Sequence, residues 1–260
     1  METSLRQVNL LETIVKHTES KPSWYIAVSG KNSSLSTVFT PPLEFPSDDC
    51  NYEIACCSVE TYYSFPNIDE RNNRLKVSLD NGSTWKVLQI PTGCYELHAI
   101  NVILQRKIVE LDGGKEDDLT ITANLNTLSS VLTLKKKIQV DFHGIDGSLR
   151  TVLGFDEKIY KVGRHQSQHI VNILRVNSIF VHCDVITLSR KNGIASPIIY
   201  NFFPNVSPGE KIVSRPRNLI YLPLSLNVIS QMTVWLTDQN DEPLNLRDEE
   251  LTITFHLRAC

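Results

Sequence analysis

His165 and His169, in the stretch RHQSQH, stand four residues apart. That spacing sets two imidazoles on one face of a helix and suits a zinc ion. The stretch lacks the glutamate of the HExxH motif, and the surrounding KVGRHQSQ reads as a polar loop rather than a helix, so no metal is expected there. His143, in VDFHGID, has Asp141 and Asp146 close in sequence, and a neighbouring carboxylate can orient an imidazole for base catalysis. On a strand, however, Asp141 and His143 point the same way, and a solvent-facing ion pair explains the pattern equally well. The carboxylate pairs Asp48-Asp49, Asp117-Asp118 and Glu249-Glu250 all sit beside turns. Exposed adjacent carboxylates stay ionised, whereas a catalytic acid needs a raised pKa. No GxSxG nucleophile elbow is present, and SPGEK at 207–211 lacks the glycines and the Lys-Ser/Thr of a phosphate loop. The residues therefore predict no catalytic group, no metal, no cofactor and no enzyme activity.

The surrounding chain has 260 residues, 41% of them hydrophobic and 21% charged, a composition that supports a buried core and argues against disorder. A formal charge of -3 gives no general attraction to phosphates, so no specific nucleic-acid binding is expected. The compact basic run, Lys135-Lys136-Lys137, lies between alternating apolar segments and reads as a solvated strand junction. Six cysteines, Cys50, Cys56, Cys57, Cys94, Cys183 and Cys260, form no CxxC pair and read as free thiols. The opening METSLRQVNLLETIVKHTES has acidic residues where a secretory signal needs a basic region. No window approaches the roughly 18 apolar residues of a membrane span. A reducing compartment follows, and the NxS/T matches at Asn32, Asn81 and Asn205 then count as chance.

The elements that would position any site are mostly strands. Leu5, Val8, Leu11 or Ile14, and Val15 recur at helical spacing behind Ser4, predicting an N-terminal helix that Pro22 ends. Residues 1–22 read as an arm, docked on a neighbour or on the inner shell, or else packed on the chain's own sandwich. Leu75, Val77 and Leu79 alternate with polar residues, DNGS at 80–83 predicts a tight Asn-Gly hairpin, and TWKVLQI returns. YELHAINVILQRKIVEL predicts a helix, and SLRTVLGF one helical turn stopped by Gly154. The acidic loop LDGGKEDD at 111–118 lacks the ligand spacing of a calcium loop. LTITA, SVLTL, KIQVDF, two strands within 170–188, IIYNFFP, KIVSRP and NLIYLPL predict further strands. MTVWLTD and LTITFHL predict a terminal hairpin, with Leu251, Ile253, Phe255 and Leu257 facing in. Many short strands, few helices and no linker composition predict an all-β antiparallel sandwich or barrel over 23–260 as one domain.

Aromatic residues are the remaining feature. Tyr62, Tyr63 and Phe65 in ETYYSFPNI, and Phe202 and Phe203 in YNFFPNVSPG, crowd strand ends that stop at a proline. Tyr62 and Tyr63 point oppositely on a regular strand, so one of them leaves the core. Such residues anchor interfaces, and half-buried core residues capped by a loop fit the pattern as well.

A series of segments in order resembles the penton, or minor capsid, protein of Polinton (Maverick) transposons and of adintoviruses. They are NYEIACCSVETYYSFPNID, LDNGSTWKVLQIPTGCYELHAIN, LTITANLNTLSSVLTL, QVDF, SLRTVLGF, HIVNILRVNSIFVHCDV, NFFPNVSPGEKIVSRPRNLIYLPL and LTDQNDEPLNLRDEELTITFHLR, and the resemblance extends in order over roughly residues 37–258. The resemblance implies a single jelly roll of two packed antiparallel sheets with short helices in its loops. It also implies a structural virion protein, a homopentamer at the vertex of an icosahedral shell built mainly from a double jelly-roll major capsid protein. Synthesis in the host cytoplasm and assembly in the nucleus follow from the same resemblance. A glycine is expected where this chain has Asp248. The other readings of the same strands are a lectin-like or receptor-binding jelly-roll module, and a major-capsid-like protein, for which a double jelly roll needs more chain.

Overall fold

A computed structural model describes residues 22–45 and 51–260. The expected N-terminal helix, Asp48-Asp49 and Cys50 lie outside the described residues. The chain runs through β1 (Ser23–Gly30), β2 (Ser34–Glu44), β3 (Tyr52–Tyr62), β4 (Arg74–Ser78), β5 (Lys86–Gln89) and α1 (Leu97–Val109). It continues through β6 (Leu119–Asn124), β7 (Ser129–Leu134), β8 (Gln139–Asp141), α2 (Arg150–Leu153), β9 (Ile159–Tyr160) and β10 (Gly163–Gln166). The last third holds β11 (Ile179–Cys183), β12 (Arg190–Lys191), β13 (Ile194–Ala195), β14 (Ile198–Phe202), β15 (Lys211–Ser214), β16 (Leu222–Pro223), β17 (Val228–Thr237) and β18 (Leu251–Ala259).

Where one domain was expected over 23–260, the chain divides into two compact units. One joins the chain up to Tyr63 with Ser178–Cys260, and the other is Ser64–Asn177. The second unit closes its own core, and no change of composition marks either junction, so linker signals could not reveal it.

The first unit is a jelly roll. One sheet has the order β1-β18-β3-β15, with β16 also on β3, and the other has the order β14-β11-β17-β2. All these pairings are antiparallel. Counting only these eight strands along the chain, first pairs last, second pairs seventh, third pairs sixth and fourth pairs fifth. That is one long antiparallel hairpin rolled up, the topology of a jelly roll. Alternation along each strand supplies the core: Ile26 and Val28 from β1, Ile54 and Val59 from β3, Ile253, Phe255 and Leu257 from β18, and Met232, Val234 and Leu236 from β17 are all buried. Leu251, Ile253, Phe255 and Leu257 face inward as the sequence predicts.

The expected terminal hairpin does not form. β17 pairs with β11 and β2, and β18 pairs with β1 and β3, so the chain crosses from one sheet to the other between them. Alternation fixes which face of a strand is apolar but says nothing of which strand lies beside it. Arg247 and Asp248, in that crossover, both have left-handed backbone, with φ of 52° and 63°. This is the conformation that makes a glycine the expected residue at Asp248.

The second unit has a four-stranded sheet, β5-β4-β8-β9, and a three-stranded sheet, β10-β7-β6. Helix α1 packs on β6 and buries Leu97, Ile100, Leu104 and Ile108, the face its periodicity predicts. Asn101 on the same face is buried, and its side-chain oxygen accepts the backbone N–H of Ile121 at 2.7 Å. Phe142, Phe155 and Tyr160 form an aromatic nucleus in this core, with ring centroids 4.9 to 5.7 Å apart. The single turn α2 ends at Gly154 with φ 78°, and a Cβ there would lie 2.3 Å from the His169 carbonyl oxygen, so the stop is steric as well as conformational.

Two local expectations change. The Asn-Gly at 81–82 does have left-handed backbone, yet β4 and β5 pair only up to Val77 and Lys86, so the connection is a longer loop. Asp80 causes it: its carboxylate accepts the Thr84 N–H at 2.8 Å and the Ser78 hydroxyl at 2.7 Å, wrapping the loop around itself. The two-residue Asn-Gly turn occurs instead at Asn192-Gly193, between β12 and β13. Of the two strands expected within 170–188, β11 forms, whereas the chain from 170 to 178 joins no sheet. Val171 and Ile173 there pack on the core of the second unit, which an apolar run does as readily in irregular backbone.

Candidate functional site

The groups whose types suggested chemistry are held in separate structural roles. The His165 ring N–H donates to the Lys161 carbonyl at 2.6 Å, while His169 faces Asp156 at 3.2 Å. β10 is a strand, so the four-residue spacing that would align two imidazoles on a helix carries no such meaning. His143 does meet Asp141, with Nδ1 3.0 Å from Oδ1, and its backbone N–H donates to the same oxygen at 2.9 Å. The Asp141 side chain is buried rather than solvent-facing, and Lys76 donates to its other oxygen at 2.7 Å. Burial alone would raise the Asp141 pKa, but the hydrogen bonds from Lys76 and His143 override it and hold the carboxyl below its ordinary range. It is a fixed anion joining β4 and β8, not a proton shuttle. Asp118 is likewise buried, taking the Lys136 ammonium at 2.7 Å and the Lys115 N–H at 3.0 Å.

The two buried cysteines, Cys56 and Cys183, are held as thiols. Burial drives the Cys183 pKa up to about 12 and raises that of Cys56 further still. These two sit on opposite sheets, β11 and β3, close enough that a charge on Cys183 would raise the Cys56 pKa. A thiolate is the reactive form, so the pair is packing, not a nucleophile. Among the described residues no group of three or more His, Cys, Asp or Glu side chains is placed to hold a metal, and no helix is long and apolar enough to cross a membrane.

The five aromatic candidates separate by burial. Phe65 and Phe202 are buried at 3% and 7% exposure, Tyr63 is half-buried, and Tyr62 and Phe203 remain exposed at 39% and 67%. Tyr62 ends β3 on the outer side of its sheet, because Thr61 and Ile212 beside it are buried. Around it, Glu60 takes the Lys211 ammonium at 2.7 Å, which lowers the Glu60 pKa, and Val213 next to Glu60 is also exposed.

The outer side of the same sheet carries a second group that aromatic clustering did not reveal. Tyr25 on β1 is 71% exposed and lies directly across from His256 on β18. The Tyr221 hydroxyl is 2.7 Å from His256 Nδ1, and the Arg258 guanidinium lies 3.6 Å from the Tyr221 ring centroid while pairing with Glu53 at 2.7 Å. Ser29 with Thr252, and Ser58 with Thr254, add hydroxyl pairs at 2.9 and 2.7 Å. The signal for Tyr25 was alternation in SWYIAVSG, which sets Ser23, Tyr25, Ala27 and Ser29 opposite Trp24, Ile26 and Val28. The arrangement sets aromatic surface, charge pairs and hydroxyl pairs together on one outer sheet face.

No family model matches this sequence. No curated protein matches it either. Among solved structures, the chain is similar to the crystal structure of the mavirus penton protein, with a TM-score of 0.49 and 12% sequence identity over 92% of this chain and 100% of that one.

Proposed function

We propose that this chain is the vertex (penton) subunit of an icosahedral capsid, a structural virion protein without catalytic activity. The observation that carries the reading is the rolled-hairpin pairing of the first unit, a jelly-roll topology of the kind that builds capsid shells. The ordered resemblance to Polinton and adintovirus pentons supports the same reading, with five copies in a ring and a double jelly-roll major capsid protein as neighbour. A closed ring of identical subunits needs a head-to-tail interface, one side of each copy fitting a different side of the next. Such an obligate contact buries roughly 2,000 Å² or more and is partly apolar.

Within this reading Tyr62 and Phe203 are the aromatic anchors, and Tyr63 supports them. Phe65 and Phe202 serve the subunit's own packing. The residues 1–22 act as an arm on a neighbouring copy, and the product is a virion component assembled in the host nucleus after cytoplasmic synthesis. The test is the size of the purified full-length protein across a concentration series, by mass photometry and negative-stain imaging. Rings of five support the proposal, and a strict monomer or trimer at high concentration overturns it.

A further inference from the structure

A jelly roll leaves four strand edges open, and three of them in this molecule carry features that restrict which strands they can pair with. β2 holds Pro41 and Pro42 within the strand, and its register with β17 shifts opposite them. β14 has five residues, lies between Pro197 and Pro204, and pairs β11 through an irregularity. β15 has four residues, starts at the ion-paired Lys211 and runs into Arg215-Pro216-Arg217. β1 differs on every count. Its eight residues, SWYIAVSG, contain no charge and no proline, and all eight pair with β18 in unbroken register. Among the described residues nothing pairs with its other side. A regular, uncharged edge presents a row of free N–H and C=O groups, which natural proteins normally protect.

We propose that the β1 edge is a seam that pairs with the β15 edge of a second copy of this chain, an inference that rests on the vertex reading above. Strand direction supports this occupant. The sheet β1-β18-β3-β15 has four strands, each antiparallel to the next, so its two outer strands run in opposite directions. Setting β1 of one copy against β15 of the next, by a head-to-tail rotation, therefore pairs them antiparallel with no reversal of the subunit. The short β15 and its flanking charges prevent it from pairing with arbitrary strands, while β1 supplies the free backbone. Side chains agree as well. Tyr25 on β1, Val213 on β15 and Tyr62 at the end of β3 are exposed apolar groups on the same outer face of this sheet.

The experiment compares full-length protein with the double variant Tyr25→Lys/Ala27→Lys, two exposed positions on β1, and with Val87→Lys as a charge control on an exposed position of β5. Association is read by sedimentation velocity, folding by thermal melting, and the edge by amide hydrogen exchange. The seam predicts at least tenfold slower exchange across 24–30 and 211–214 when wild type assembles. It also predicts at least tenfold weaker association for the double variant at an unchanged melting temperature, with Val87→Lys assembling as wild type. If wild type forms rings without that protection, or the double variant forms them equally well, the seam is overturned and the vertex reading stands. If β1 is protected in the monomer and loses protection when residues 1–21 are deleted, the chain's own N-terminal segment holds the edge and the seam is overturned. A wild type that never assembles removes the vertex reading itself.

Discussion

The two units of this chain reach a packed core by different routes. Ser64–Asn177 is one continuous run, whose hairpin β6–β7 and helix α1 close over neighbours near in sequence. The jelly roll must join β1 to β18 and β2 to β17, strands from opposite ends of the chain. Closing long loops before contacts form is slow, so the jelly roll is the unit whose formation depends on distant pairing. The difference also divides labour. The second unit's polar groups are spent on internal anchoring, such as Asn101, Asp118 and Asp141. The jelly roll buries some as well, such as His182 2.9 Å from the Thr237 hydroxyl, and also sets polar groups across an outer sheet face beside an unprotected edge.

Tryptophan makes the comparison measurable, because Trp24 and Trp235 report the jelly roll and Trp85 the second unit. The largest effects should come from Phe255→Ala and Phe142→Ala, each removing a fully buried ring. Each is expected to cost about 3–5 kcal/mol. In chemical denaturation with single-tryptophan variants, Phe255→Ala should shift the Trp24 and Trp235 transitions, and Phe142→Ala the Trp85 transition. Equal shifts of all three probes by either variant would break the division into two units.

Next in size is Asn101→Ala, which strands the buried Ile121 N–H and should destabilise the second unit by about 1–3 kcal/mol. Its signature is faster hydrogen exchange at Ile121 than at its β7 neighbours. A smaller change, of opposite sign, is expected in the jelly roll. Asp248→Gly removes the cost of a left-handed non-glycine residue and should stabilise by about 0.5–1 kcal/mol after glycine's own entropy is counted. A lower melting temperature for this variant would show that the Asp248 side chain matters more than its backbone.

Acid provides a further contrast. Burial would raise the Asp69 pKa, but hydrogen bonds from the Arg71 side chain and backbone and from Arg175 bring it to about 2. A carboxyl whose folded pKa lies below its unfolded value stabilises fully above about pH 4, and that contribution is lost as pH falls toward 2. The second unit should therefore lose stability through that window, read at Trp85, and Asp69→Asn should flatten the loss.

How much of this was legible in the sequence depends on whether the signal was local. Helix α1, the turn α2 with its Gly154 stop, and the inward face of β18 follow from periodicity and backbone sterics within a few residues. The glycine that the family resemblance implies at Asp248 falls on a left-handed backbone. Strand partnership is not legible in a strand's own alternation, which is why β17 and β18 read as a hairpin. A loop centred on Asp80 was hidden too, because Asn81-Gly82 resembles a tight turn until the Asp80 carboxylate is seen gathering Ser78 and Thr84. For the site, clustering found Tyr62 and Phe203 but grouped them with the buried Phe65 and Phe202. It missed Tyr25, whose importance arises from a strand edge that no short stretch of sequence displays.

On the proposed function, this jelly roll works by joining copies of itself. The most direct measurement is the mass of the full-length wild-type protein by mass photometry across a concentration series. A species of about five times the mass of one chain, growing with concentration and appearing as rings in negative stain, is the predicted result. A single species at the mass of one chain at every concentration would contradict it.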